Sequence, residues 1–216
     1  MTPPSAPVLA VPLLAVALLL GGCGSSPSTP AAPAPATSAA PTMAPPVAAV
    51  PPADGPVTGQ GTVLQTPDGP PQLCLGAVAE SWPPQCRGVP LDGWDWATAG
   101  PHETADLQGR RTRWGTYAVT GRFDGTTMTV TGSVPLALYD VAAEPSPRPS
   151  APPTLSAQQW DAVQAGLRAA PGLLTAERTG DTGPVQALVV HDDGSIQAWA
   201  DASFGAGVVL VTSALR

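Results

Sequence analysis

Apolar positions fall into distinct regimes along the chain. Val8 to Leu20 is apolar throughout except for Pro12, with no period at all. From Gly24 to Gly55 the chain is built of Ser, Pro, Ala and Thr with a single charge, Asp54, and again no period. Alternation begins only after that. Strand-like pieces fall at Gly61 to Gln65 and Gln72 to Leu75, and a long hairpin follows in TYAVTGRFDGTTMTVTGSV. There Tyr117, Val119 and Phe123 share one face of the first strand, and Met128, Val130 and Val134 share one face of the second. Asp124-Gly125 supplies a two-residue turn of type I′, which needs positive φ at both positions. Gly121 and Gly132 mark bends or bulges of the kind a curling sheet requires.

A second pattern starts at LSAQQW. Ser156 is placed as the N-cap, Gln159 as its capping-box partner, and Leu155 with Trp160 as the apolar staple. Trp160, Val163 and Leu167 then lie on one helical face, and Pro171-Gly172 ends the helix. Strands are expected at Leu173 to Glu177, Val185 to His191, Ile196 to Ala200 and Val208 to Ser213, with Asp193-Gly194 as a hairpin turn. Between the two patterns AAEPSPRPSAPP, residues 142–153, reads as a linker.

The pattern therefore predicts an α+β protein. A β-rich domain over 57–141, a small β-barrel or sandwich with an OB-like form among the options, precedes a unit of one helix on an antiparallel sheet over 154–216. One amphipathic helix is enough to cover one apolar face of a small sheet.

Composition narrows the functional classes. The 216 residues include 29 prolines and 23 glycines, no lysine, no asparagine and one isoleucine, a bias that points to a high-GC bacterial genome. Lysine Schiff bases, P-loop lysines and Asn-linked glycans are thereby excluded. A net charge of −7 argues against nucleic acid as a partner. Arg110, Arg111 and Arg113 form the one basic cluster and read as a solvated loop.

At about 1.5 Å per helical residue, Val8 to Leu20 covers about 20 Å of a roughly 30 Å hydrocarbon core, too little to span it well. A signal-peptide apolar region fits better. Leu20-Gly21-Gly22-Cys23 resembles the lipobox of bacterial lipoproteins, although Met1 to Pro7 lacks the Arg or Lys usual in that family's leaders. The resemblance implies cleavage of residues 1–22, acylation of Cys23 with diacylglycerol and palmitate-type chains, and residence on the outer face of the cytoplasmic membrane. Two or more acyl chains, at about 0.8 kcal/mol per buried CH₂, hold a protein stably. Residues 23–56 then form a disordered Pro/Ala/Ser-rich tether, reaching up to about 100 Å if polyproline-like.

Outside the cytosol the remaining cysteines, Cys74 and Cys86, pair as a disulfide, the loop between them having no CxxC or zinc spacing. Closing it stabilises by about 3 kcal/mol in the chain-entropy picture.

Catalytic chemistry is hard to find. His102 in PHETAD lacks the second histidine of HExxH, and no GxSxG elbow exists. Asp192 and Asp193 are accounted for by their turn rather than by a cation. A hydrolase reading needs paired carboxylates, for example Glu80 with Asp92 or Asp95, brought within a few ångströms of one another by the fold. No catalytic, cofactor or metal residue is assigned, and no cofactor is expected. The aromatic residues that stand out are tryptophans. Trp94 and Trp96 in GWDW are read either as core, in a domain poor in other large apolar side chains, or as a ligand platform for a cell-wall or protein partner.

From LCLG through SWPPQC and GWDW to RWGTYAVTGRFDG, and again in DDGSIQAW and GAGVVLVTSAL, the chain is similar to uncharacterised exported proteins and lipoproteins of high-GC Gram-positive bacteria. That resemblance implies no activity. The expectation is a non-enzymatic binding or structural module of the cell envelope, with a carboxylate hydrolase as the alternative.

Overall fold

The computed structural model describes residues 46–140 and 153–216. The leader, Cys23, the first part of the tether and nearly all of the linker lie outside the described residues. The described chain is α+β and mostly sheet. Six strands form the first sheet: β1 (Pro56–Gln65), β2 (Gln72–Cys74), β3 (Val89–Asp92), β4 (Glu103–Leu107), β5 (Arg110–Phe123) and β6 (Met128–Pro135). A four-residue helix, α1 (Trp96–Ala99), sits between β3 and β4.

Pairing runs β1-β2-β3-β6-β5-β4, and β1 also pairs with β5. The sheet thus closes partly without forming a true barrel. Closure is firm on one side, where β1 and β5 are antiparallel from Pro56↔Arg122 to Gln65↔Arg113. On the other side β3 and β6 meet only at Leu91↔Met128 and Asp92↔Thr129. The inward side chains include Tyr117, Val119, Phe123 and Met128, as alternation predicted, joined by Val57, Val63, Leu73, Val89 and Leu91, with Val130 half-buried against them. Val134, expected on the same face, is exposed, because the register shift between Thr120 and Gly121 reverses the alternation beyond it.

The turn of the hairpin differs from expectation. Phe123 pairs with Met128, so the turn has four residues, 124–127, rather than two. The Asp124 carboxylate stabilises the longer turn by accepting from the Thr126 and Thr127 backbone N–H groups and the Thr126 hydroxyl, each at 2.8 Å. The register shift falls between Thr120 and Gly121, as a bulge there requires.

The second sheet comprises β7 (Leu173–Arg178), β8 (Val185–Val189) and β9 (Val209–Ser213), with α2 (Ala157–Leu167) before it and α3 (Ser195–Phe204) between β8 and β9. The capping box on α2 is complete: Gln159 N–H donates to Ser156 Oγ at 3.3 Å, and Ser156 N–H to Gln159 Oε1 at 2.9 Å. Leu155 is buried and Trp160 packs into the same core.

The expected strand at Ile196 to Ala200 is helix instead. Its short apolar run suits either period, and the decision comes from Asp192, whose carboxylate accepts from the N–H groups of Gly194, Ile196 and Gln197. Asp192-Asp193-Gly194 is therefore a helix start and not a hairpin turn. With α3 as crossover, β8 and β9 run parallel, so the sheet is mixed rather than antiparallel.

The two sheets belong to one compact unit. Leu215, beyond β9, is fully buried in the core of the first sheet, and Thr58 and Arg216 exchange backbone hydrogen bonds. The segment before β1, read as tether up to residue 56, is packed from Val47 onward: Val47 and Val50 touch the two cores, and Ala53 N–H donates to the Phe123 carbonyl at 2.9 Å.

Candidate functional site

A cavity of about 270 Å³ opens where β2 and β3, the 124–127 turn, the start of β7 and the segment before β1 come together. Its walls are almost entirely aliphatic. Leu75, Leu173, Leu174, Val190 and Val50 are all only half-buried there, over a floor that includes Leu73, Val89 and Phe123. Glycines let the backbones meet. At Gly172, with φ +66°, a Cβ would lie 2.8 Å from Val50 Cγ2.

One charged side chain lines this cavity: Arg87, exposed, with no hydrogen bond or ion pair among the described residues. Its backbone is clamped from both neighbours. Cys86 is disulfide-bonded to Cys74, Cα–Cα 6.0 Å, and Cys74 is itself buried at the end of β2. The Gln72 side chain accepts from Gly88 N–H at 3.1 Å and donates to the Cys86 carbonyl at 3.4 Å. Gly88 passes so close to β2 that a Cβ would lie 2.4 Å from the Leu73 carbonyl oxygen. The disulfide loop thus delivers a guanidinium to the rim of an apolar hollow from a fixed piece of backbone.

Trp94 and Trp96 do not form a surface platform. Trp96 is 7% exposed, begins α1, and donates its indole N–H to Gln65 Oε1 at 2.6 Å. Trp94 packs edge-on against Trp96 and Tyr117, with ring centroids 5.4 and 5.0 Å away. Trp96 is part of the core of the first sheet and Trp94 is half-buried against it, while Asp95 between them is exposed and caps α1 by accepting from Ala97 N–H at 2.9 Å. Tyr117 beneath them is fully buried, its hydroxyl donating to the Pro101 carbonyl at 2.7 Å, and burial raises its pKa. The tryptophan that is exposed is Trp82, at 66%, resting edge-on against Trp114.

The remaining candidates are placed individually. Glu80, Asp92 and Asp95 are exposed, and none lines the cavity. His102 Nδ1 lies 3.2 Å from the Gly100 carbonyl, to which it can only donate, and its ring is tilted against Trp96; His191 contacts the Pro51 carbonyl and Phe123. Arg110, Arg111 and Arg113 lie on β5, not on a loop, because the strand extends to pair with β4; Arg110 bonds Asp68. Among the described residues no group of three His, Cys, Asp or Glu side chains is gathered as for a metal, and no helix is long and apolar enough to cross a membrane. No family model, curated protein or solved structure matches the chain.

Sequence reasoning passed over Arg87. The signal that could have found it is its position directly after Cys86 and before a glycine, next to a cysteine already assigned to a disulfide.

Proposed function

We propose that the protein is held at the outer face of the cytoplasmic membrane through lipid on Cys23, and that its folded part is a non-enzymatic binding module of the cell envelope. The observation that carries this reading is the bonded Cys74–Cys86 pair, since disulfides persist in oxidising, extracytoplasmic surroundings. The LGGC sequence supports the anchor, and the clamped Arg87 at an apolar cavity supports binding rather than catalysis. Paired-carboxylate hydrolysis has no comparable support, because the acids proposed for it are exposed and outside the cavity. Replacing Cys23 with Ala and fractionating cells tests the anchor. The variant should leave the membrane fraction; retention equal to wild type would overturn the localisation.

A further inference from the structure

We infer that the cavity beside Arg87 binds the tail of a single-chain amphiphile whose anionic head group, carboxylate or phosphate, pairs with the Arg87 guanidinium. This deepens the binding-module reading and rests on it. Three observations converge on that chemistry. The walls offer aliphatic side chains with few polar partners, so a ligand rich in hydrogen-bonding groups would leave them unpaired, whereas an acyl segment leaves none.

Size is the second observation. A methylene occupies about as much room as a liquid water molecule, roughly 30 Å³, so a cavity of about 270 Å³ accommodates a chain of some nine carbons. The third is the cation. Arg87 has no partner among the described residues, while Arg110, of the basic cluster on β5, is engaged with Asp68. Its neighbours are held by the disulfide and by Gln72, so the side chain is offered from a preorganised backbone, which lowers the cost of binding. A guanidinium meets carboxylate or phosphate through two parallel hydrogen bonds, and both head groups are therefore the same recognition problem.

The test uses the full-length Cys23→Ala chain, which carries no acyl group of its own at that position, titrated calorimetrically with decanoate, decyl phosphate and decanol. At least one anion should bind, and the tighter of the two identifies the head group. Arg87→Gln should weaken the anion about tenfold, as loss of a charge-assisted hydrogen bond does, and leave decanol within twofold. Val190→Trp should abolish binding by filling the cavity; if that variant does not melt cooperatively, Leu174→Trp takes its place. Absence of binding by both anions, equal affinity in Arg87→Gln, or binding untouched by the filled cavity would each overturn the proposal. Because the titration is independent of where the protein resides, its failure leaves the Cys23 anchor standing, and failure of the fractionation leaves the titration valid.

Discussion

The indole N–H of Trp96 donates to the side-chain oxygen of Gln65, while the indole N–H of its neighbour Trp94 is buried without a partner among the described residues. Two tryptophans packed edge to face thus differ in one satisfied bond. Trp96→Phe should destabilise by about 1–2 kcal/mol more than Trp94→Phe, because only the former strands a polar group that had a partner. Urea midpoints of the two variants at equal m-value check this, and equal losses would contradict it.

Removing the disulfide should cost about 2–4 kcal/mol, the usual range for such a loop. The Cys74→Ala/Cys86→Ala double variant, compared with wild type in denaturant without reductant, measures it. Intact mass before and after reduction of the exported protein should show a gain of two hydrogens per disulfide.

The two hairpin glycines should respond oppositely to the same change. A Cβ on Gly121 would lie 2.3 Å from the Thr129 carbonyl oxygen, whereas one on Gly132 would meet nothing within 4 Å. Gly121→Ala should therefore lose about 1–3 kcal/mol by overpacking. Gly132→Ala should be neutral or gain a few tenths of a kcal/mol through the unfolded state. Thermal melts of the pair distinguish them.

Asp124 gives the hairpin an acid sensitivity. Its pKa is lowered first by the Thr127 backbone N–H, then by Thr126. A depressed carboxylate pKa contributes stability that is fully present above the unfolded value, near 3.9, and is lost as pH falls through the folded value. The stability difference between wild type and Asp124→Ala should be constant near neutrality and shrink below about pH 4. A gap that stays constant down to pH 2 would contradict the assignment.

How much of this was legible depended on range. The α2 cap was readable because Ser156 and Gln159 settle it between themselves, three residues apart. The strands around Tyr117 and Met128 were readable because their alternation is long. Ile196 to Ala200 was not, since a run that short fits two periods and the deciding carboxylate precedes it at Asp192. β3 and β4 went unseen: each is five residues or fewer and is defined by its partner strand more than by its own pattern. The cavity is assembled from Val50, Leu75, Arg87, Leu174 and Val190, positions that no local rule connects.

The pairing of Thr58 with Arg216 bears on when the protein folds. Leu215 fills a place in the core of the first sheet, and Arg216 extends the pairing of β1, yet both are synthesised after every other described residue. A nascent chain ending at residue 141 would hold the strands of that sheet with a gap in its core and one edge of β1 unsatisfied at Thr58. Contacts this distant in sequence are closed late and slowly. The first sheet is consequently the last to be finished, and a chain interrupted near its linker should be a protease substrate rather than a stable fragment.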